Sequence, residues 1–199
     1  MIKPIQTRYA GYLFRSRLEA RWAVFFDHLK LDWAYEPEGF QLPSGTYYLP
    51  DFRVNLRRGP MWFEIKPGEA ESELFDEFIT HAPKEFGGAV LNDIPDPRFV
   101  RDNHGAYYSG RYSDRPYMRW GGADETEGGG WDNHYRFCIC EACGEVGFEF
   151  DGRSARIGCG CSIHQHSDKD YTPDHPRIVA AFAAARSARF EHEHREVYA

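Results

Sequence analysis

The first strongly periodic segment of the chain begins just after Phe14. Apolar side chains recur there at helical spacing and form one stripe of Leu18, Trp22, Phe25, Phe26 and Leu29. Ser16 and Glu19 have the S-x-x-E spacing of a capping box, in which the two side chains satisfy backbone N–H groups of the first turn. The pattern predicts a helix from about residue 16 to residue 30.

Short alternating segments follow this helix and indicate β-strands. The segment LDWAYEPEGFQL is broken at Pro37 and Gly39, which predicts short strand pieces. The next segment, TYYLPDFRVNL, alternates, so we expect one of its faces to carry Tyr48, Phe52, Val54 and Leu56. The residues Arg57-Arg58-Gly59-Pro60 predict a turn, and MWFEIK predicts the second strand of a β-hairpin.

A second amphipathic helix is predicted from about Glu69 to Glu85. Its apolar positions are Leu74, Phe75, Phe78 and Ile79. We expect Gly87-Gly88 to end this helix and AVLNDI to form a further strand. The order helix, strands, helix, strand predicts an α/β fold in which helices flank a mixed sheet.

The composition of the chain after residue 94 changes twice. Residues 95–135 lack periodicity and are rich in Tyr, Arg and Gly, as expected of a connector. A cysteine-rich segment covers about 136–166, and Pro176 to Glu193 should be helical with the proline in the first turn. We therefore expect a core domain over 1–94, the connector over 95–135, and a small module with a C-terminal helix over 136–199.

Composition favours a folded protein that is not embedded in a membrane. Of 199 residues, 42% are hydrophobic and 16% aromatic, and no run approaches the roughly 18 to 20 apolar residues of a membrane span. The first residues lack the apolar run and cleavage site of a secretory signal, so we expect a cytoplasmic location. The net charge is −7, but residues 1–66 carry +3, which allows this part to face an anionic partner.

The pattern that carries chemistry is Pro50-Asp51, followed after the predicted turn by Glu64-Ile65-Lys66. Residues two apart in a strand point to the same face, so Glu64 and Lys66 project together while their neighbours face the core. Because the hairpin folds back at 57–60, Asp51 should lie across from this stretch. Two carboxylates and one ammonium group then meet on one patch of the sheet.

This set of side chains suits phosphodiester hydrolysis. Carboxylate oxygens hold Mg²⁺ or Mn²⁺, which keeps several waters and bridges to the phosphate. The metal lowers the pKa of a bound water, and a nearby lysine orients that water or stabilises the developing negative charge. An isolated E-x-K is common on the solvent face of a hairpin. The preceding aspartate at hairpin distance and a glutamate on the leading helix favour a functional site.

With these motifs the chain resembles the PD-(D/E)XK, or restriction-endonuclease-like, nuclease superfamily. The resemblance covers about residues 8–93, includes FRSRLEARW, the PDF strand and the E-x-K strand, and is closest to compact phage-encoded members. It implies a restriction-endonuclease-like core in which Asp51, Glu64 and the carbonyl of Ile65 hold the metal. By the same resemblance Lys66 is the catalytic lysine.

Glu19 has more than one interpretation. By the resemblance it is the helix-borne glutamate that supports the metal site in many members of the family. By local spacing it caps the helix with Ser16, or forms an ion pair with Arg15 four residues away. These roles are compatible, and the arginines of FRSRLEARW either reach phosphates or only solubilise the helix. Pro67 is a departure from the family pattern, because glycine commonly follows the lysine.

All five cysteines lie between residues 138 and 161, and in a chain without a secretory signal such clustering favours metal ligation over disulfides. Cys140 and Cys143, followed by Gly144, have the spacing of a zinc knuckle. The pair Cys159-Gly-Cys161 lies 15 residues further on. The sequence therefore predicts a closed structural Zn²⁺ site made by four thiolates, which stabilises a segment too small for its own core.

The set of zinc ligands has alternatives, because the second pair is C-x-C instead of the usual C-x2-C. Cys138, His164 and His166 could each substitute for one of the four thiolates. A catalytic zinc is disfavoured, since it needs an open coordination position and a nearby general base. The cluster is similar to a zinc ribbon, which in nucleases commonly helps to grip DNA.

Together these patterns predict an Mg²⁺- or Mn²⁺-dependent deoxyribonuclease acting on DNA, branched and single-stranded forms included, in phage DNA processing or recombination. The alternative is a DNA- or protein-binding adaptor or inhibitor that keeps the nuclease fold and does not cut. The intact D…E-x-K set favours the nuclease. Many members of the family act as homodimers, although no segment of this sequence marks an interface. A phage-encoded protein would work in the cytoplasm of the host cell.

Overall fold

A computed structural model of the chain describes residues 4–57, 59–68, 72–83, 87–95, 119–120, 135–140, 142–150, 171–172 and 175–190. These residues form three helices, a mixed five-stranded sheet and three smaller sheets. The predicted α/β class is therefore confirmed. Within the same ranges no helix has the length and apolar character needed to cross a membrane.

Helix α1 (Arg17–His28) lies within the predicted segment 16–30. The Ser16 hydroxyl accepts a hydrogen bond from the Glu19 N–H at 3.2 Å, which satisfies one donor of the first turn. The buried residues of α1 include Trp22 and Phe25, both members of the predicted apolar stripe. The cap and the stripe are confirmed, so this helix follows from local pattern alone.

The N-terminal part of the chain contributes most of the strands. In chain order they are β1 (Thr7–Tyr9), β2 (Tyr12–Phe14), β3 (Asp32–Tyr35), β4 (Phe40–Gln41), β5 (Tyr47–Tyr48), β6 (Phe52–Leu56), β7 (Gly59–Ile65), β8 (Gly87–Leu91) and β9 (Arg119–Trp120). The central sheet has the order β3-β6-β7-β8-β9, while β1–β2 and β4–β5 are separate pairs. Only β7 and β8 run parallel within the central sheet, and α2 (Glu73–His81) provides the crossover that a parallel pair requires.

Strands β6 and β7 form the predicted hairpin with a tighter turn than expected. Leu56 pairs with Gly59, which leaves only two residues for the loop, and Pro60 already belongs to β7 opposite Asn55. The register ends at the pair Phe52 and Phe63. The hairpin therefore places the residue before β6 beside the last residues of β7.

Tyr48 does not share a face with Phe52 and Val54, contrary to the predicted alternation. It belongs to β5 and is buried in a different apolar cluster together with Trp62. The continuous strand that the sequence suggested is interrupted at Pro50, because proline has no N–H to donate to a sheet. The alternation therefore starts again at Phe52.

Helix α2 is shorter than the predicted segment 69–85, since its cap is Ser72 and it ends at His81. The Ser72 hydroxyl accepts a hydrogen bond from the Phe75 N–H at 3.3 Å. Phe75, Phe78 and Ile79 are buried as predicted. Leu74 was placed wrongly on this stripe: it is 40% exposed, because it lies at the margin of the face that meets the sheet.

Gly87 and Gly88 do not end α2, as the sequence suggested, but lie in β8. A Cβ atom added to Gly88 would be 2.8 Å from both Ile79 Cδ1 and Phe75 Cζ. The absence of a side chain at Gly88 therefore allows α2 to approach the sheet closely. The glycine that looked like a helix terminator is a packing residue.

The C-terminal part of the chain adds a second antiparallel sheet and a helix. The strands β10 (Tyr135–Cys140), β11 (Val146–Phe150) and β12 (Tyr171–Thr172) have the order β11-β10-β12. Helix α3 (Pro176–Ser187) begins at the predicted proline but ends before the predicted Glu193. The Ser187 hydroxyl donates to the Ala183 carbonyl at 2.8 Å, a side-chain bond that competes with continued helix.

The predicted connector 95–135 is not wholly without regular structure, because it contains β9. This short strand pairs antiparallel with β8, where Gly87 lies opposite Trp120. The sequence gives little sign of so short a strand, since two residues are too few to show a period. The other connector residues from 96 to 134 lie outside the described residues.

Apolar side chains pack on both faces of the central sheet. On one face the Phe25 ring of α1 lies 4.6 Å from Phe182 of α3 and 4.9 Å from Phe137 of β10, measured between ring centroids. Phe63 of β7 lies 5.4 Å from Phe148 of β11. The second sheet and α3 therefore share a core with α1, whereas the division of the chain at residue 136 stays a prediction from sequence.

On the opposite face of the sheet, Trp62 packs against α2. Its ring lies 5.6 Å from Phe78 of α2 and 5.3 Å from Phe40 of β4. Trp62 is completely buried, as expected if this face of β7 is not plain solvent surface. The helices α1 and α2 thus lie on opposite faces, and the predicted mixed sheet flanked by helices is confirmed.

Candidate active site

Asp51 lies immediately before β6, beside the carboxyl end of β7. Its Oδ2 accepts a hydrogen bond from the Ile65 N–H at 2.7 Å. One residue earlier in β7, the Glu64 Oε1 lies 2.6 Å from the Lys66 Nζ. Asp51 and Glu64 are only 3% and 5% exposed. The structure therefore brings the predicted aspartate, glutamate and lysine together in one largely buried patch.

Tyr48 holds the second oxygen of the Glu64 carboxylate. Its hydroxyl donates to Glu64 Oε2 at 2.6 Å. Burial raises the pKa of Tyr48, and the negative charge of Glu64 raises it further, so the hydroxyl stays protonated and remains a donor. Glu64 is thus oriented from one side by a neutral phenol and from the other by the ammonium group of Lys66.

The backbone around Lys66 is fixed by its neighbours. The Lys66 N–H donates to the Leu91 carbonyl at 2.9 Å, and the Lys66 carbonyl accepts a hydrogen bond from Asn92 Nδ2 at 3.1 Å. The Ile65 N–H points to the opposite edge, toward Asp51. Because the N–H and C=O of a strand residue point to the same edge, the Ile65 carbonyl faces the Asp51 side, as the predicted metal site requires.

Pro67 does not disturb this arrangement. It is exposed and follows the last residue of β7 by two positions. The backbone hydrogen bonds that hold this end of the strand are made by Ile65, Lys66 and Asn92, so the N–H that proline lacks is not needed there. The departure from the usual glycine is therefore accommodated.

Arg15 supplies a second cation to the site. One guanidinium nitrogen lies 2.7 Å from Asp51 Oδ1 and 2.6 Å from Glu36 Oε1. The predicted alternative of an ion pair between Arg15 and Glu19 is wrong: only the backbone N–H of Arg15 donates to Glu19 Oε2, at 3.0 Å. Arg15 precedes the cap of α1, so its side chain does not follow the helical spacing on which that alternative depended.

Glu19 is buried near the start of α1 and is satisfied by neutral donors. Its Oε1 accepts from the Ser16 hydroxyl at 2.7 Å, and its Oε2 accepts from the Tyr35 hydroxyl at 2.6 Å. Burial and the hydrogen bond to Glu19 raise the pKa of Tyr35, which keeps this phenol protonated. The predicted cap by Ser16 is confirmed, whereas the Glu19 carboxylate accepts from the Arg15 N–H and not from the Ser16 N–H of a capping box. Its support of a metal stays a prediction.

The charges in the site act strongly on Asp51. Burial and the negative charges of Glu64 and Glu19 together raise the pKa of Asp51 to about 7. The Ile65 N–H and the Arg15 guanidinium favour the ionised form without outweighing these effects. Asp51 is therefore a carboxylate that lacks sufficient positive charge nearby.

Glu36 is a site residue that sequence reasoning missed. It has a φ of +45°, a conformation that is strained for a residue with a side chain, and its N–H donates to the Asp51 carbonyl at 2.9 Å. No sequence signal marks it, because a glutamate before Pro37 is ordinary in a loop. Tyr35 and Tyr48 were also missed as site residues; a tyrosine among apolar strand residues is only a weak hint of a buried partner.

The donor set fits a divalent cation in both chemistry and charge. Asp51 and Glu64 offer hard oxygen atoms, and the Ile65 carbonyl and water would complete the coordination, as is usual for Mg²⁺. Among the described residues, four carboxyl groups and two cations lie in this site, so the fully ionised site would carry two negative charges in excess. Among the described residues no group of three or more His, Cys, Asp or Glu side chains could hold a metal ion, so any such site depends on backbone and water ligands. The carboxylates taking part are Glu19, Glu36, Asp51 and Glu64.

The predicted zinc knuckle has the expected backbone turn. Cys140 ends β10 and is buried, and Cys143 is exposed in the turn that leads to β11. The Gly144 N–H donates to the Cys140 carbonyl at 2.8 Å, and Gly144 has a φ of +72°, which glycine adopts without strain. The bend that allows two thiolates to approach one ion is therefore present at the first pair of cysteines.

The remaining predicted zinc ligands cannot be placed beside this knuckle. Cys159, Cys161, His164 and His166 lie outside the described residues. Cys138 is buried in β10, two residues before Cys140, so the two cysteines share a face of the strand. Among the described residues, Cys138, Cys140 and Cys143 do not come together as a group of three that could hold a metal ion, so Cys138 as a substitute ligand stays a prediction.

Comparison of the chain with protein-family models, with curated proteins and with solved structures finds no match. The family resemblance therefore depends on the chain's own motifs and on the arrangement of Asp51, Glu64 and Lys66. The order of elements around these residues runs from α1 through the β6–β7 hairpin and α2 to β8.

Proposed function

We propose that the chain is a divalent-metal-dependent deoxyribonuclease with the restriction-endonuclease-like core of the PD-(D/E)XK superfamily. The observation that carries the proposal is the meeting of Asp51, Glu64 and Lys66 at the end of β7, with Asp51 bonded to the Ile65 N–H. Burying two carboxylates side by side costs stability. A protein that only binds a partner has no need of such a pair, which disfavours the non-cleaving adaptor.

The chain's own residues would divide the chemistry as follows. Asp51, Glu64 and the Ile65 carbonyl would hold Mg²⁺ or Mn²⁺. When bound, the ion would activate water and offset negative charge on the phosphate. Lys66 places an ammonium group beside Glu64, where it stabilises charge on a phosphate oxygen or orients the attacking water. Tyr48 keeps the Glu64 carboxylate in one orientation.

We propose DNA as the substrate, with branched and single-stranded forms included. The excess of basic residues in 1–66 supports this choice, because residues 67–130 and 131–199 are net acidic. A phosphodiester that approaches Asp51 from solvent first meets Arg15, whose side chain is 56% exposed. A homodimer is consistent with the family resemblance and stays a proposal.

A nicking assay tests this function. The purified full chain is incubated with supercoiled plasmid, branched DNA and single-stranded DNA, in Mg²⁺ or Mn²⁺ and in chelator. We expect cleavage only with metal, and a loss of at least about 100-fold in rate for Asp51→Asn and for Glu64→Gln, because each removes a charged ligand. Asp32→Asn is the matched control, since this exposed aspartate lies at the start of β3, at the far end of the sheet.

The outcomes separate the proposal from its alternatives. Cleavage that persists in both Asp51→Asn and Glu64→Gln would come from another site or another protein. If the wild type binds DNA but cuts none of the three substrates, the adaptor becomes the better interpretation. Loss of cleavage in Asp32→Asn as well would show that the charge change itself, and not the site, matters.

We further propose that Cys140 and Cys143 hold a structural Zn²⁺ together with Cys159 and Cys161, in a zinc-ribbon-like arrangement. The turn at Gly144 supports the first half of this site. Elemental analysis of the purified protein should find about one equivalent of zinc, and Cys140→Ser should lower this content. Less than half an equivalent in the wild type would contradict the proposal.

A further inference from the structure

Arg15 already provides a cation to the Asp51 carboxylate. Its guanidinium donates a hydrogen bond to Asp51 Oδ1 at 2.7 Å and forms an ion pair with Glu36 Oε1 at 2.6 Å. The side chain of Asp51 is 4% exposed, that of Glu36 is 24% exposed and that of Arg15 is 56% exposed. The guanidinium thus lies between the buried carboxylate of Asp51 and the more exposed carboxylate of Glu36, at the solvent side of the site.

We propose that Arg15 is a displaceable cation on Asp51: a divalent ion takes Asp51 from Arg15, and Glu36 retains the released guanidinium at the mouth of the site, where it binds a phosphate of the substrate. This inference rests on the proposed function for its metal ion. Each oxygen of Asp51 accepts a hydrogen bond, one from the Ile65 N–H and the other from Arg15. Because the Ile65 N–H is fixed in β7, Arg15 is the partner that can leave.

Glu36 is suited to hold the guanidinium during this exchange. Its N–H donates to the Asp51 carbonyl at 2.9 Å, so its backbone is attached to the residue that Arg15 leaves. Its φ of +45° is strained for a glutamate, and such strain persists only where the surrounding structure imposes it. The carboxylate of Glu36 therefore stays close to Asp51 whether or not Arg15 contacts both.

The exchange links metal binding to phosphate binding. The contact between Arg15 and Asp51 would be lost if a divalent ion took the position of the guanidinium on Asp51 Oδ1, so Arg15 would lower the affinity for the metal. Once released, the guanidinium has N–H groups available for a phosphate, because two of its N–H groups can donate in parallel to two phosphate oxygens. By thermodynamic reciprocity the substrate phosphate then strengthens metal binding as much as the metal strengthens phosphate binding.

Manganese binding to the full chain, measured by electron paramagnetic resonance of the free ion, tests the exchange without relying on activity. We expect Arg15→Gln to bind Mn²⁺ about fivefold more tightly than the wild type, the equivalent of one partly exposed ion pair. Arg57→Gln is the matched control, since Arg57 is exposed at the turn end of the β6–β7 hairpin, away from Asp51. It should leave the affinity unchanged within about twofold, and Asp51→Asn should abolish binding.

The results distinguish this inference from the proposed function. If Arg15→Gln binds Mn²⁺ no more tightly than Arg57→Gln, the exchange is wrong, while loss of binding in Asp51→Asn would still support the metal site. If neither the wild type nor Arg15→Gln binds Mn²⁺, the metal site fails and the inference fails with it. Circular dichroism of Arg15→Gln checks that the variant is folded, because the substitution removes a cation beside the buried Asp51.

A second comparison tests the role of Glu36 as the retaining carboxylate. Glu36→Gln should weaken Mn²⁺ binding in the wild-type background, because Arg15 then depends on Asp51 alone. The same substitution should have a smaller effect in the Arg15→Gln background, where no guanidinium remains to be held. Equal weakening in both backgrounds would show that Glu36 acts only through its own charge and would overturn its retaining role.

Discussion

The two faces of strand β7 bury side chains of opposite kinds. On one face Met61, Phe63 and Ile65 join the core shared with α1 and α3. On the other face the completely buried Trp62 is followed two residues later by Glu64, which is buried with Tyr48 and Lys66 as its partners. The second face of β7 therefore changes from apolar at Trp62 to charged at Glu64, two residues further on.

This difference separates residues that stabilise the fold from residues that cost stability. Burying a phenylalanine removes apolar surface from water and contributes roughly 1.5–3 kcal/mol. Burying a carboxylate has a desolvation cost that its partners only partly offset, so such a residue is kept where a function needs it. The apolar face of β7 is therefore where substitutions should damage folding, and the end of the other face is where they should damage chemistry.

The largest expected effect is on the apolar face. Phe63→Ala should lower the free energy of unfolding by about 3–5 kcal/mol, because it removes a completely buried ring that contacts Phe26 and Phe148. Urea denaturation followed by far-ultraviolet circular dichroism measures this. Asn55→Ala, which removes an exposed amide and its hydrogen bond to Asp32, should cost no more than about 1 kcal/mol. A loss below about 1 kcal/mol for Phe63→Ala would mean that this face is not a packed core.

A smaller loss is expected where α2 meets the opposite face. Gly88→Ala should lower the free energy of unfolding by about 1–3 kcal/mol, since its Cβ would lie 2.8 Å from Ile79 Cδ1 and Phe75 Cζ. Adding Ile79→Val removes the Cδ1 atom, so the double variant should regain part of the loss relative to the sum of the single changes. Strict additivity in denaturant titrations would contradict this close approach of helix and strand.

The smallest expected effect is a gain in the free energy of unfolding, and it concerns Asp51 beside the charged end of β7. In chelator, Asp51→Asn should raise the free energy of unfolding by about 1 kcal/mol at pH 8 and leave it nearly unchanged at pH 5. Between the ordinary aspartate pKa and the raised pKa of about 7, the native protein binds more protons than the unfolded chain. The stability of the wild type should therefore fall as pH rises through this window, and the amide has no such dependence.

Thermal melts at the two pH values measure this effect. Asp32→Asn is again the control, because that exposed carboxylate lies at the far end of the sheet and should show no gain at pH 8. A loss of stability for Asp51→Asn at pH 8 would mean that the contact with Arg15 outweighs the burial of the charge. The contrast between the stabilising apolar face of β7 and the charged end of its other face would then disappear.

The sequence pattern was sufficient to predict the elements that depend on contacts between residues close together in the chain. Helix α1 was predictable because its stripe and its Ser16 cap both lie within one short segment. The hairpin of β6 and β7 was predictable for the same reason, and with it the proximity of Asp51 to Ile65. In each case the contacts that matter join residues fewer than 20 positions apart.

Several boundaries were predicted wrongly where distant packing decides them. Gly88 has the appearance of a helix terminator, yet it lies in β8 because α2 needs the space that a side chain would fill. Tyr48 fits the alternation of β6, yet Pro50 separates it and it packs with Trp62. Helix α3 ends at Ser187 although the sequence beyond it is compatible with helix.

The sequence by itself determined the candidate chemistry of this protein: an aspartate just before one strand of a hairpin, and a glutamate and a lysine at the end of the other. Only the tertiary structure decided what surrounds them, because Arg15, Tyr35 and Glu36 come from segments that no local period connects to the hairpin. The free energy of a buried charge depends on every group within a few ångströms. That environment exists only after the chain has packed, which is why the charge imbalance at Asp51 could not be anticipated from motifs.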